Sequence, residues 1–474
     1  MTWDSGSYAM IGVIGANNTL TTSSYLYQSP ESYVMYANSG GLLGTNSGSS
    51  TGSGATFSNG DIIGIALNLD DQELRFYKNG SELGGFNSVT TSEHLIIAAS
   101  DHDGSSSTFI LNTGQRPFAY PVSGFKSLCT TNLPDPTIAD GSTAMDVKLY
   151  TGNGANSRTI SGYAFSPDFL WVKDRANSGG DFSHRLIDAV RGAGVSLSSN
   201  QTASERDHSA QAGGGVETFT SDGFTIQQGT SNNNNQNNNN TPYVAWAWDG
   251  GSSTVSNTDG SITSNVRANP SAGFSAVTYQ SNGTRGASIG HGLNTAPSWV
   301  VVKNRDNSYD WMVGHDGLGG WSNFIRLNTN GAKGSAVTIF ANTAPTSSVF
   351  YVGEDNTVNA GSSVQNYLAL CWSEVSGYSK FGSYTGNGSS DGPFVFTGFR
   401  VAWLMTKRTD TSENWEIRDS TRNPHNRTNL TLFPHSISAE DSGSVDFDFL
   451  SNGFKVRNTN GSVSYTHLRA HETG

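Results

Sequence analysis

One apolar segment recurs three times, and any fold for this chain must house all three copies. It reads Phe169-Leu-Trp-Val-Lys-Asp-Arg175, then Trp299-Val-Val-Val-Lys-Asn-Arg305, and more loosely Trp403-Leu-Met-Thr-Lys-Arg408. Each copy is a short aromatic and β-branched run that stops at a Lys/Arg pair. That composition predicts a strand buried at its middle and solvated at its end. The surroundings repeat as well. Tyr-Thr-Gly-Asn-Gly stands before the first and third copies, at 150–154 and 384–388, followed by Gly162-Tyr163 or Gly398-Phe399. Later come Gly223-Phe-Thr-Ile226 and Gly453-Phe-Lys-Val456. The first two copies close on Tyr243-Val-Ala-Trp-Ala-Trp248 and Tyr367-Leu-Ala-Leu-Cys-Trp372. A long repeat of this kind means that one β-rich unit is used several times.

At 474 residues the chain is long enough for about three domains. Hydrophobic residues make up 35% and charged residues 14%, the balance shifting to 56 Gly and to Ser, Thr and Asn. Aromatics at 11% are too many for a disordered chain. Small polar residues with aromatics suit short strands joined by many turns. The net charge of −12, without any basic run, argues against nucleic acid as a partner. Cys129 and Cys371 fall in different contexts, so no disulfide framework is expected. No stretch has the length and apolarity of a membrane helix, so membrane insertion is not expected. The start, Met1-Thr-Trp-Asp-Ser-Gly6, lacks the pattern of a secretory signal.

Residues 1–118 read as a first β unit. Tyr8–Ile14 predicts a buried strand, and Ser32–Tyr36 alternates as a half-exposed one does. Asp61–Leu69 and Glu73–Lys78 form a hairpin across Asp70-Asp71-Gln72. Asn79-Gly80 is a strong tight-turn signal, because both residues tolerate positive φ. Leu95–Ala99 and Thr108–Asn112 complete the set. Asn59-Gly-Asp-Ile-Ile-Gly-Ile-Ala-Leu-Asn-Leu-Asp70, Leu74-Arg-Phe-Tyr-Lys-Asn-Gly80, Phe109-Ile-Leu-Asn112 and Gly114-Gln-Arg-Pro-Phe118 together resemble the SPRY domain. The resemblance implies a bent, concanavalin-type β-sandwich used for binding and not for catalysis. That family starts with a further strand pair carrying a Trp-Tyr-Glu-type run. Here only Met1–Ser7 precedes the Ile-Gly-Val strand, so the domain is expected to be clipped at its start, with an unpaired edge.

Residues 119–144, rich in Pro, Thr and Asp, read as a semi-rigid linker. Three repeats follow: 145–251, 264–375 and 378–462, the last without its closing Tyr/Trp strand and so expected to be truncated. Gly250–Asn257 is the joint between the first two. Asn232–Asn240 is a low-complexity tract expected as a surface loop. The region 145–462 resembles the repeated β domains of tailed-phage structural proteins, which also follow SPRY domains. The fold class is therefore all-β, a SPRY-like sandwich followed by tandem β-sandwich-like repeats. Residues 463–474 break the pattern and resemble a translated sequencing adapter. They are expected to stand outside the fold, and His467 and His471 to carry no role.

The signals for chemistry are few. Gly286-Ala-Ser-Ile-Gly290 with His291 has the spacing of a nucleophile elbow but is followed by a turn and another strand, where an elbow needs a helix. Asp101-His-Asp-Gly104 lacks the closing Glu of a calcium loop and reads as a solvated turn. Asp188-Ala-Val-Arg191 and Asp419-Ser-Thr-Arg422 predict local ion pairs that fix turns, of small value if exposed. The Lys173/Arg175 and Lys303/Arg305 ends read as solvated strand exits. Trp246, Trp248 and Trp372 read as core. No residue is assigned as catalytic, cofactor-binding or metal-ligating, and no ligand-binding residue is singled out. Taken with the resemblance, this implies a non-enzymatic virion protein, a tail or tail-fibre appendage. It would display modules that bind a host surface glycan or protein, contact other virion proteins and gain avidity as a homo-oligomer, in the virion or outside the cell. Two alternatives stay open. One is a purely structural virion protein that contacts only other virion proteins. The other is a secreted polysaccharide-binding protein or depolymerase, which would need a pair of carboxylates across a groove.

Overall fold

The computed structural model describes the chain except residues 6–8, 16–24, 30, 38–40, 44–49, 53–55, 91–94, 102–106, 130–131, 133–134, 177–182, 209–213, 229–235, 444–445, 460–466 and 469–474. The chain divides into two compact units, Met1–Leu133 and Pro134–Gly474. Both are built almost wholly of antiparallel strands.

The first unit contains β1 (Thr2–Ser5), β2 (Ala9–Gly15), β3 (Tyr33–Tyr36), β4 (Leu42–Leu43), β5 (Ser50–Gly52), β6 (Ile63–Asn68), β7 (Glu73–Lys78), β8 (Ser81–Phe86), β9 (Leu95–Asp101) and β10 (Thr108–Ile110). Two four-stranded sheets, β4-β3-β2-β9 and β5-β8-β7-β6, face each other. Ile11, Val13 and Tyr33 of one sheet pack against Leu74, Phe76 and Phe86 of the other, which makes a sandwich core. Period-two alternation sends Met10, Ile14 and Val34 to the opposite face, where Leu26 covers them. Asn79 and Gly80, at φ 49° and 87°, make the two-residue turn between β7 and β8. The start of the unit is paired among the described residues. β2 is paired on both sides, by β3 and β9, and β1 pairs with β10.

The second unit holds the repeats. The first copy contributes β11 (Met145–Thr151), β12 (Arg158–Ser161), β13 (Phe169–Asp174), β14 (Arg185–Asp188), β15 (Val195–Ser196), β16 (Arg206–Asp207), β17 (Gly215–Thr220), β18 (Gly223–Gln227) and β19 (Pro242–Trp248). The second contributes β20 (Thr254–Asn257), β21 (Ser264–Asn269), β22 (Phe274–Gln280), β23 (Ala287–Gly290), β24 (Trp299–Asn304), β25 (Met312–His315), β26 (Asn323–Arg326), β27 (Gly334–Ser335), β28 (Val349–Val352) and β29 (Asn366–Trp372). The third contributes β30 (Ser383–Tyr384), β31 (Phe394–Phe396), β32 (Trp403–Lys407), β33 (Trp415–Asp419), β34 (Phe447–Leu450), β35 (Gly453–Val456) and β36 (His467–Leu468). The three Lys-ended segments are therefore β13, β24 and β32.

The first two copies share one plan: β11-β19-β13-β14 in the first and β22-β29-β24-β25 within the longer sheet of the second. The registers agree residue for residue. Trp248 stands opposite Met145 and Phe169, and Tyr243 opposite Tyr150 and Asp174. Trp372 stands opposite Phe274 and Trp299, and Tyr367 opposite Tyr279 and Asn304. Strand alternation divides each main sheet between two cores. Outward residues such as Leu170, Val172 and Ala245 pack under the small sheet β12-β18-β17. Val300, Val302 and Ala369 do the same in the second copy. Inward residues of all three copies meet in one core.

At its centre lies an aromatic cluster. Trp372 stacks on Trp299 at 4.2 Å between ring centres, and Phe274 lies 5.2 Å from Trp372. Trp248 reaches Phe169 at 5.2 Å and Trp403 at 5.6 Å. Such ring pairs add to the hydrophobic gain of burying their area. Trp246, Trp248 and Trp372 are core residues, as the sequence implies. The repeats do not stand in a row as separate sandwiches. They close on each other around a common centre, because each main sheet has a second apolar face that its own small sheet cannot cover.

The stretch expected as a linker, 119–144, is shared between the units. Its end belongs to the second, where Thr137 N–H donates to Ser376 O and Asp140 caps a short 3-10 turn at Gly141–Thr143. Part of the joint between copies is likewise strand, since β20 pairs with β21.

Candidate functional site

The charged ends of the Lys strands show what the junctions between copies are made of. Lys173, Lys303 and Lys407 are buried, which corrects the reading of solvated strand exits. Each Nζ donates to carbonyls. Lys303 donates to Asn304 O (2.7 Å) and to Thr202 O of the first copy (3.0 Å). Lys173 donates to Asp174 O (2.6 Å) and approaches Ile437 O of the third copy (3.4 Å). Burial lowers the amine pKa of Lys303 and of Lys407 to about 8.

Arg305 makes a two-pronged contact with Glu205 of the first copy, at 2.7 and 2.8 Å. Arg191 donates to the same Glu205 (3.0 Å) and pairs with Asp188 at 2.5 Å. The third copy repeats this against the first: Arg175 pairs with Glu440 at 2.6 Å, Arg422 with Glu440 at 2.9 Å and with Asp419 at 2.6 Å. The Asp-x-x-Arg pairs therefore form as predicted, but they are buried, not exposed, and they belong to networks that join copies. The arginines hold Glu205 and Glu440 below the usual carboxylate range, against a desolvation that pushes the other way. At the third junction Lys333 N–H donates to Thr409 O as Glu205 N–H donates to Arg305 O, and neither side chain can form the pair. No local pattern points to Glu205 and Glu440, which follow Arg191 and Arg422 by 14 and 18 residues.

The Asn-Gly frames are structural too. Tyr150 OH donates to Gln236 O, and Tyr279 OH to Val358 O. The Asn237 amide nitrogen donates to Asn153 Oδ1 and its oxygen accepts from Asn153 N–H. Asn359 and Asn282 repeat the exchange. A Cβ at Gly152 would sit 2.0 Å from Asn238 O, so only glycine allows this approach. The Asn tract is thus no simple surface loop. Gln236 and Asn237 are buried anchors, while 232–235 lie outside the described residues.

Ser288 lies on β23, its hydroxyl accepting from Ser261 N–H, and not on an elbow. His291 is buried, with Nε2 3.1 Å from Thr346 O and Nδ1 accepting from Leu293 N–H. The turn His102–Gly104 lies outside the described residues, and Asp101 ends β9. Cys129 and Cys371 are not joined in a disulfide, and Cys371 lies in the outer core of the second copy. Among the described residues no group of three or more His, Cys, Asp or Glu is placed to hold a metal ion.

The exposed apolar side chains concentrate elsewhere. Between Ile110 and Leu128 of the first unit, Leu111, Phe118, Tyr120 and Phe125 are all exposed, and Leu128 is 70% exposed. The strip is ordered by its own chain. Asn112 Nδ2 donates to Arg116 O, and Gln115 Nε2 to Leu111 O. The Tyr120 ring lies against the Asn79-Gly80 turn, about as close to a Cβ built on Gly80 as packing allows, at 3.1 Å. These exposed aromatic and aliphatic side chains all fall within one short stretch of the chain, residues 110–128.

The first unit is a β-sandwich, and the second is three β copies that share one core. Residues 1–114 match the SPRY domain, a module of protein–protein interaction. Residues 140–467 match the family described as Domain of unknown function (DUF7483), and the chain belongs to that family. No curated protein matches the chain.

Proposed function

We propose that this chain is a non-enzymatic binding protein of a phage virion, a tail appendage whose SPRY domain docks on another protein. The observation that carries the reading is where unsatisfied chemistry remains. In the second unit the Trp residues of the three repeats, the strand-end lysines and the Asp-x-x-Arg pairs are consumed internally, so that unit acts as a rigid mount. In the first unit Phe118, Tyr120, Phe125 and Leu128, which directly follow the SPRY match, face solvent. The phage setting rests on the likeness of the repeated frame to tailed-phage structural proteins. Trp246, Trp248 and Trp372 are buried and offer no stacking surface to a sugar ring; the preference for a protein ligand rests on the SPRY match.

The test is adsorption of the full chain to host cells and to the isolated virion proteins, with Tyr120→Ser/Leu128→Ser as the comparison. Retention by either, lost in the double variant, supports the reading. Retention that the double variant leaves unchanged removes the strip from it. Binding to neither target refutes it.

A further inference from the structure

One ring-to-carbonyl contact joins the three copies, and it is used three times. Leu186, Val313 and Ile417 are equivalent positions, each opposite the third residue of its Lys strand, Trp171, Val301 or Met405. Each also pairs with an apolar residue of its own copy, Leu197, Ile325 or Leu432. Two residues before each stands a buried ring, His184, Trp311 or Trp415. Directly after each partner comes Ser198, Arg326 or Phe433. Trp311 Nε1–H of the second copy donates to Ser198 O of the first (2.9 Å), and Trp415 Nε1–H of the third donates to Arg326 O of the second (2.8 Å). His184 Nε2 of the first copy lies 3.0 Å from Phe433 O of the third. The links run one way round the common centre and close it.

Two of the three donors cannot titrate, and the third can. An indole N–H donates at any pH, whereas an imidazole changes its protonation near neutrality. Trp171 Nε1–H donates to His184 Nδ1 at 2.9 Å. Indole nitrogen is a donor only, so Nδ1 is the bare nitrogen, and the proton of the neutral ring sits on Nε2, aimed at Phe433 O. A second proton has one place to go, Nδ1, where it would point at the Trp171 N–H. Burial opposes that charge most strongly. Among the described residues Lys173 of β13, His435 two residues past Phe433, and Arg422 beyond β33 oppose it as well, and the ring is held well below the usual imidazole range. Arg422 is itself committed to Asp419 and Glu440.

We propose that His184 is an acid-sensitive latch: a proton on Nδ1 releases the ring from Trp171 and Phe433 and opens the junction between the first and third copies, while the two Trp-linked junctions hold. The neighbouring contacts across that junction, Ser199 Oγ to Pro434 O (2.6 Å) and Lys173 Nζ to Ile437 O (3.4 Å), flank the ring and part with it. The sign follows from linkage. The closed ring has a lowered pKa and the released ring an ordinary one near 6.5, so closure is complete above about 6.5 and weakens as pH falls below it. At pH 5 the open population is about thirtyfold larger than at neutral pH. Glu205 and Glu440, held below the usual carboxylate range, stay ionised there and keep their arginines. The latch lies in the second unit and stands whether or not the first unit docks on a protein.

Each junction carries its own reporter, a backbone amide that donates across it: Glu440 N–H to Arg175 O, Glu205 N–H to Arg305 O and Lys333 N–H to Thr409 O. Hydrogen exchange of the full chain at pH 7 and pH 5, corrected for intrinsic rates and read at single amides, compares them. At pH 5 the Glu440 amide should lose about thirtyfold of its protection and the other two less than about threefold. His184→Gln offers an acceptor and a donor but cannot titrate, so its Glu440 amide should keep its protection in acid; His435→Gln should behave as wild type. Equal losses at the three amides overturn the latch. A selective loss that persists in His184→Gln, or that His435→Gln abolishes, overturns the assignment to His184. If His184→Gln does not fold, imidazole 15N shifts of the wild-type chain decide: a His184 that charges as the Glu440 amide opens supports the latch, and one that stays neutral through that opening overturns it.

Discussion

Glu205→Ala tests the junction chemistry most directly. Glu205 accepts from Arg305 twice and from Arg191 once, and the Arg191 and Asp188 side chains are fully buried. Removing one partner of a fully buried ion pair costs about 3–5 kcal/mol, because the remaining charge keeps its desolvation penalty. Two features moderate this. Glu205 and Arg305 are 18% and 21% exposed, and Asp188 still serves Arg191. The expected loss is therefore about 2 kcal/mol. For a unit of this size that is a fall in Tm of about 5 °C. All Trp residues but Trp3 lie in the second unit, so Trp fluorescence in urea reports its unfolding selectively. The pH dependence carries a sign. The folded pKa of Glu205 is lowered, so its contribution is complete above the unfolded value near 4.3 and is lost as pH falls through the lower folded value. The gap between wild type and Glu205→Ala should close in acid. A loss under about 0.5 kcal/mol at pH 7, the level of an exposed pair, would refute the network as a junction element.

Four further outcomes follow from the same geometry. Lys333→Glu with Thr409→Arg, which writes the missing pair into the third junction, should show a favourable coupling of about 0.5–1 kcal/mol in a double-mutant cycle; zero coupling would mean that the junctions are not equivalent. Trp372→Ala removes the ring stacked on Trp299 and should cost about 3–5 kcal/mol and weaken the near-ultraviolet dichroism. The depressed pKa values of Lys303 and Lys407, about 8 against about 10.4 unfolded, mean that the unfolded state binds more protons in that window. Unfolding free energy should then rise with pH between about 8 and 10, and less steeply in Lys303→Met. Burial raises the Cys371 thiol pKa far above its usual value while Cys129 is half-exposed, so a thiol reagent should label one cysteine in the native protein and both in denaturant.

The strands were legible because alternation and β-branching are local. Phe169–Asp174 and Trp299–Asn304 lie where composition puts them, and Asn79-Gly80 turns as its residues require. The common centre was not legible. An apolar strand buried on both faces reads the same whether its second face meets its own small sheet or another copy. The strand-end charges were misread for a related reason. A Lys before an Arg marks a solvated exit only if nothing lies beyond, and Glu205 and Glu440, distant in sequence, lie beyond two of them. The buried half of the Asn tract was hidden by composition, since Asn237 anchors Asn153 through two amides that any Asn run could offer to water. The exposed strip carried no sequence signal either, because Phe118 and Leu128 look no different from core residues until the sandwich is assembled.

Closure around the aromatic centre also fixes how many copies this architecture can hold. An open-ended array lengthens or shortens by whole repeats because each member touches only its neighbours. Here Phe169, Trp299 and Trp403 meet in one place, so a fourth copy would find no seat and losing one would bare the rings of the other two. Variation in this architecture is thereby steered away from copy number and into the loops, the outer sheets and whatever module is attached in front.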